Sequence, residues 1–409
     1  MQRSIKTTGL IVATGLASLA LLQPVWALDA EAFVERIEAV YATMGYSFEF
    51  GPARLEGDAV IVEGATVALP DTGPITLDTA LTFSGVAETA EGGFTAKSLT
   101  VPDIDSSFSS TPAGRVTVTA IRADDIWLPP ADAISVEAGL QSLGSLSSGP
   151  LSVTRDGVEV LRLEHMAMTS EFVHGDDATL THIDSRFLVT GIKADLSTVG
   201  AEEPEAGAVI EALGLTSVTG DIEQTMAWTL ADGHMVIDKF LFDFADVGAL
   251  DLTFDVSGFT VPLLEKITAL QASELDPTSD EAQAQQMMLG MEMLQALTLT
   301  KASIRYDDAG LAPRLLDFFA NESGAERAQF VAGLKAMLPG LVGQAGIPAL
   351  NDMVVPAAGA FLDDPQSIEV ALKPASPATL LVLSAAAANP AGLIAAIGLA
   401  VTANQPAAD

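Results

Sequence analysis

Cysteine is absent from this 409-residue sequence. No disulfide can brace the fold, no thiol can serve as a nucleophile, and the lipid-modified N-terminal cysteine of bacterial lipoproteins is excluded. Basic residues are scarce as well. Nineteen Lys and Arg stand against 54 Asp and Glu, for a formal charge of −35. Such a surface repels nucleic acid phosphate and anionic lipid headgroups, so nucleic acid is excluded as a partner and any membrane must be met through apolar contact. Histidine is limited to His165, His174, His182 and His234. The first three are spaced too widely for the short helical pairing of a zinc hydrolase and read as solvated polar-face residues. Also missing are a glycine loop ending in Lys and Ser/Thr, a dinucleotide fingerprint and a nucleophile elbow. Paired carboxylates such as Asp307–Asp308 and Asp363–Asp364 are inevitable in so acidic a chain and carry no catalytic signal. In RYDDAGL, the pair at 307 and 308 instead reads as a turn from strand to helix, with one carboxylate capping the helix. No catalytic residue, cofactor or metal site is assigned, and the sequence predicts a protein that is not an enzyme.

Apolar residues, by contrast, make up 49% of the chain, far above an acidic disordered polymer. The charge is scattered and reads as a solubility trait. The first 27 residues, MQRSIKTTGLIVATGLASLALLQPVWA, have a basic start at Arg3 and Lys6, an apolar run over 10–22 and a small residue, Ala27, at the end. That is the plan of a secretory signal with cleavage after Ala27, placing the mature protein in the periplasm or outside the cell. The alternative, an uncleaved anchor, is disfavoured because the run falls short of the ~20 residues that span a bilayer. A second uncharged stretch, 379–401, has Asn389 and Pro390 at its centre, where proline breaks a helix and an amide is costly in lipid. It reads as two short helices followed by a strand near 399–403, so no transmembrane span is expected in the mature chain.

Between these segments the hydrophobic period changes along the chain. Residues 28–44 repeat at three and four, with Asp29 as cap and Gly45 as stop, and predict an amphipathic helix. From 46 to about 130, short alternating runs separated by Gly, Pro and Asp predict an antiparallel meander. Three runs close alike, at Pro70, Pro102 and Pro129, and each proline marks a strand end or edge. Residues 139–150, GLQSLGSLSSGP, read as a Gly/Ser-rich break. Strands resume at Leu151, with Asp156-Gly157 as a tight turn, and a short helix is predicted over 205–213. Beyond Pro262, helices over 263–273 and 280–297, a strand over 297–308, helices over 312–321, 325–338 and 348–362, and a strand from Ser367 suggest that the C-terminal strands return to the same sheet. The fold class is therefore α+β and β-dominated: a long curved antiparallel sheet with helices of the C-terminal third packed on it. The organisation runs as signal 1–27, helix 28–45, meander 46–260 and helix-rich region 261–409.

The most regular stretch is 218–259. Its first strand sets Ile222, Met226, Trp228 and Leu230 against Glu223, Thr225 and Thr229, and its third sets Leu250, Leu252, Phe254 and Val256 against Asp251, Thr253, Asp255 and Ser257. Such alternation implies one dry and one wet face. The middle strand is uneven: strict alternation puts Val236, Phe240, Phe242 and Phe244 together, and Met235, Ile237 and Leu241 beside Lys239 and Asp243. The candidate ligand surface is Met226, Trp228 and Leu230 on the first strand, Phe240 and Phe242 on the second, and Leu250, Leu252 and Phe254 on the third. What covers this face decides its role: the chain's own helices, a second layer of sheet, or acyl chains. Met287, Met288, Met291 and Met293 are adaptable apolar side chains and read as gap-fillers beneath the sheet.

With GDIEQTMAWTLADGHMVIDKFLFDFADVGALDLTFDVSGF, and with the strand, Asp-Gly turn and helix unit LTLTKASIRYDDAGLAPRLLDFFANESGAERAQFVAGLKAMLPGL, the chain resembles bacterial AsmA-like envelope proteins and related periplasmic proteins of unknown function. The resemblance implies a taco-like sheet with an apolar concave face, of a kind implicated in moving or organising phospholipid between membranes. This chain is shorter than the larger members. It points to a lipid or other apolar ligand bound or shielded along the sheet; the competing expectation is a structural or interaction component of the envelope, with envelope proteins as partners and a self-covered core.

Overall fold

The structure is a computed structural model and describes residues 28–68, 74–108, 113–271, 273, 279–386 and 390–406. The signal segment, Pro70 and Asn389 lie outside the described residues. α1 (Ala30–Ala42) forms where the helical spacing places it. Asp29 Oδ1 accepts the amides of Glu31 at 3.1 Å and Ala32 at 3.3 Å, satisfying donors that a helix start leaves free. The meander follows as β1 (Ser47–Phe50), β2 (Ala53–Glu56), β3 (Ala59–Ala68), β4 (Ile75–Ser84), β5 (Ala87–Glu88), β6 (Phe94–Val101), β7 (Ile104–Phe108), β8 (Gly114–Val118) and β9 (Ile121–Leu128). After α2 (Val136–Leu140) come β10 (Leu143–Ser148), β11 (Leu151–Arg155), β12 (Val158–Leu163), β13 (His165–His174) and β14 (Leu180–Asp195). Two short helices, α3 (Val199–Glu202) and α4 (Pro204–Ala212), lead to β15 (Ser217–Thr229), β16 (His234–Phe244) and β17 (Gly248–Ser257). The C-terminal part contains α5 (Val261–Gln271), α6 (Asp280–Ala296), β18 (Thr298–Asp308), α7 (Leu311–Glu322), α8 (Arg327–Gly343) and α9 (Pro348–Asp363). It ends in β19 (Ser367–Leu372), β20 (Ala378–Thr379), α10 (Leu380–Ala386), α11 (Pro390–Ile397) and β21 (Leu399–Ala403).

All 21 strands among the described residues belong to one antiparallel sheet. Its ladder runs β3, β4, β6, β9, β10, β13, β14, β15, β16, β17, β18, β19, β21, with β1 and β2 sharing the outer edge of β3. The C-terminal strands do return to the sheet. Four of the remaining strands prolong their neighbours: β6 continues into β7 past Pro102, β8 into β9 past Ala120, β10 into β11 past Gly149-Pro150, and β12 into β13 past Glu164. These extensions pair among themselves and join the far end of β14 at Leu161↔Ala194. Proline offers no donor to a ladder, so pairing is interrupted at Pro102 and Pro150 and the long strands bend there. Ala120 and Gly191 take the same bend with φ of 51° and 64°.

The expected break over 139–150 is not a break. Gly144, Ser145, Ser147 and Ser148 lie in β10, hydrogen-bonded to β9 on one side and β13 on the other, with Gly139 in the last turn of α2 before it. Small residues fit because the strand is crowded: a Cβ on Gly144 would stand 2.8 Å from the Cβ of Asp125. At Asp156-Gly157 the predicted turn is present, with φ of 48° and 78° closing the β11–β12 hairpin.

α1 packs on the N-terminal end of the sheet, against β1, β2 and β9. Between them Phe33, fully buried, meets Phe83 edge-on at 5.1 Å and Phe94 at 5.7 Å. Val34, Ile37 and Val40 bury against Val60, Val62, Leu81 and Leu128 in the same cluster. Burying each such side chain contributes roughly 1.5–3 kcal/mol, so this end of the sheet is a conventional core. A second, smaller core forms under α2 and α5, where Leu180, Ile183, Trp228, Leu230 and Val261 pack with Phe172 and Phe259.

Two expectations are corrected by the C-terminal half. The uneven middle strand contains a β-bulge. Met226 pairs with Ile237, but Thr225 pairs with Lys239, so Asp238 is one residue too many. The extra residue reverses the alternation: Met235 and Ile237 share the apolar face with Phe240, Phe242 and Phe244, and the polar face receives Val236, Lys239, Leu241 and Asp243. The methionines of α6 do not fill a core. Met287 and Met288 are each 74% exposed and Met291 48%, because α6 turns Ala282 inward instead.

Candidate apolar groove

Paired residues share a face, so the register traces one face across the sheet. Leu146 lies opposite Met168, Met168 opposite Phe187, Phe187 opposite Gln224, and Gln224 opposite Phe240. On the next strands Leu252 lies opposite Ile304, Ile304 opposite Val370, and Val370 opposite Val401. Apart from Gln224, the row is apolar over nine neighbouring strands. At about 4.8 Å per strand it spans roughly 38 Å, more than the ~30 Å hydrocarbon thickness of a bilayer. None of these residues is buried, and Ile304 and Val370 are 54% and 40% exposed.

Helices close the row at its flanks. Near the start of β18, α5 covers Trp228 and Leu230. At the other end Tyr306 meets Phe361 of α9 edge-on at 6.4 Å, and α9 lies along β19 and β21. The Tyr306 hydroxyl donates to the Val247 carbonyl at 2.7 Å and lies 2.9 Å from Asp308 Oδ1; burial first, then Asp308, pushes its pKa upward. Asp308 also accepts the amides of Gly310 at 2.8 Å and Ala312 at 2.7 Å. This is the expected carboxylate cap, and it fixes α7 to the strand.

The opposite face carries charge. Glu223 accepts from Arg186 at 2.7 Å and Lys239 at 3.1 Å, and the Lys239 hydrogen bond leads in holding its carboxyl below the usual range. Arg305 joins Asp307 at 2.6 Å and Glu369 at 3.4 Å, and His234 pairs with Asp255 at 2.9 Å. His165 and His182 also sit on this face, bonded to the Ser148 carbonyl at 2.7 Å and the Thr229 hydroxyl at 3.0 Å. The sheet is therefore wet behind and apolar in front.

Of the residues singled out from the sequence, Trp228 and Leu230 are core: they are 2% and 9% exposed, and the Trp228 indole donates to the Phe259 carbonyl at 2.9 Å. Met226, Phe240, Phe242, Leu250, Leu252 and Phe254 stand half-buried on the apolar face. Phe240 and Phe242 pack together with ring centroids 4.6 Å apart. The register adds Leu146, Met168, Phe187, Ile304 and Val370, which the sequence reading missed. Each strand's alternation signals an apolar side, but only strand order aligns those sides into one row.

Comparison with known proteins adds a family match over the C-terminal part. A family model described as "Uncharacterized protein" matches residues 241–404. That span runs from the end of β16 through β21. No curated protein matches the chain. Among the described residues no helix is long and apolar enough to cross a membrane, and the uncharged C-terminal stretch is divided between α10 and α11.

Proposed function

We propose that the protein is a non-enzymatic envelope protein that binds or shields a lipid, or another apolar ligand, along the front of its sheet. The row from Leu146 to Val401 carries this reading: it is apolar apart from Gln224, long enough for an acyl chain, and most open towards its β21 end, where Ile304 and Val370 stand exposed. A monomer that leaves so continuous an apolar face uncovered gains by occupying it. The secretory plan of residues 1–27 supports export to the periplasm or beyond, and the curved one-sided sheet supports kinship with AsmA-like proteins. The −35 charge fits a ligand held by its acyl part rather than by an anionic headgroup. A fluorescent acyl probe should bind the mature chain saturably and be displaced by phospholipid; a probe that neither binds nor is displaced contradicts the reading.

A second reading, an interaction component of the envelope, is favoured by one observation. Met287, Met288 and Met291 of α6, with Leu381 and Val382 of the neighbouring α10, are all at least 40% exposed and uncharged. Such a patch suits an apolar protein partner.

A further inference from the structure

The sheet has a notch where β10 begins. β9 pairs with β10 as far as Leu143↔Ile126, but β13 loses β10 beyond Ser145↔Thr169. The unpaired end of β13 and the end of β9 border a cleft of about 600 Å³, within the range of small-molecule sites, lined by Asp125, Trp127, Gln141, Ser170, Phe172 and His174. Its rim is built from unusual backbone. Asp125 and Ala178, both non-glycine, hold φ of 57° and 64°, a region that costs L-residues energy and recurs at binding sites. The missing side chain of Gly144 leaves room for Asp125 beside it.

The polar groups of the cleft divide into two sets. His174 Nε2 and Gln141 Oε1 partner each other at 2.7 Å and brace one wall. The Asp125 carboxylate and the Trp127 indole N–H have no hydrogen bond or ion pair within the described chain. No Lys or Arg lines the cleft, so an anion finds no counter-charge. A cation finds two aromatic rings, an unpaired carboxylate and the field of a chain of charge −35. A neutral sugar would meet few free hydrogen-bonding groups, since Gln141 and His174 already satisfy one another.

We infer that the notch between β9 and β13 binds an organic ammonium group, with Trp127 and Phe172 facing the cation and Asp125 neutralising it. Free choline or ethanolamine and the head of a zwitterionic lipid present the same chemistry. The site does not depend on the groove being a lipid site, and its test is read separately. The mature chain is titrated with choline and ethanolamine by calorimetry, with methyl glucoside as the neutral comparison, and with vesicles of phosphatidylcholine or of phosphatidylglycerol. Saturable binding of either amine is expected, weakened by at least about tenfold in both Asp125→Asn and Trp127→Leu while the melting curve stays in place. Asp125→Asn is nearly isosteric, so its loss of binding is separable from misfolding. Binding of phosphatidylcholine vesicles but not phosphatidylglycerol, sensitive to the same two substitutions, assigns the ammonium to a lipid head; binding of the free amines alone assigns it to a soluble ligand. Absence of saturable amine binding in both free and lipid form, equal binding by the two variants, or preference for methyl glucoside overturns the proposal.

Discussion

An aspartate at position 304 and an aspartate at position 228 should have opposite consequences, although both positions lie on the apolar face of the sheet. Ile304 is 54% exposed between Leu252 and Val370, so only about half of the roughly 1.5–3 kcal/mol from full burial is at stake. Ile304→Asp should therefore cost about 0.7–1.5 kcal/mol, since the new carboxylate reaches water without moving its neighbours. Trp228 is 2% exposed and donates to the Phe259 carbonyl. Truncating a buried Trp costs about 3–5 kcal/mol, and leaving that carbonyl unpaired adds roughly 1–3 kcal/mol. Against a typical stability of about 5–15 kcal/mol, Trp228→Asp should lose much of the folded population. Urea unfolding followed by circular dichroism measures both, and bound acyl probe is counted on the same samples. Ile304→Asp should fold normally and bind less probe. If it instead unfolds as readily as Trp228→Asp, the face around β18 is core; if it folds and binds fully, the face is not the site. Either result refutes the reasoning.

Two further outcomes test the framework around the groove. Phe33→Ala removes a fully buried ring from between Phe83 and Phe94 and should destabilise the protein by about 3–5 kcal/mol in urea unfolding; a loss below about 1 kcal/mol would mean that α1 is not the plug of this end. Glu223 has a folded pKa below its unfolded value, so its contribution is present above the ordinary carboxylate pKa of about 4.3 and is lost as the pH falls through the lower folded value. Glu223→Gln should flatten that acid limb of the stability curve, and an unchanged slope below about pH 4 would show that the Lys239 and Arg186 contacts contribute nothing to it.

Much of the architecture was legible because periodicity survives local detail. The helix at 28–44, the Asp156-Gly157 hairpin and the Asp308 cap each rest on a short-range rule, and each forms with nearly the expected bounds. Expectation and structure part where tertiary context overrides local preference. Residues 139–150 carry loop composition, but Leu143–Ser148 are pinned from both sides by β9 and β13, so small side chains there are an adaptation to crowding rather than a break. In β16 a strict two-residue period runs through Asp238, and nothing in the residue types announces that one residue is to be skipped. The candidate surface was half legible for a related reason. Leu252 and Phe254 show which side of their strand is apolar, but whether a helix lies over that side depends on where α5 and α9 dock. Trp228 is consequently core, and Ile304, in a strand not singled out from the sequence, stands in the exposed part of the row beside Val370.

The central claim, that the row from Leu146 to Val401 holds an acyl ligand, is tested most directly by native mass spectrometry of the protein expressed with residues 1–27 and purified without detergent. The account predicts a polypeptide mass beginning at Leu28, with adducts in the mass range of phospholipid or fatty acid that are lost on organic extraction and reduced in Ile304→Asp. A single adduct-free species that also stays adduct-free after incubation with phospholipid vesicles would contradict it.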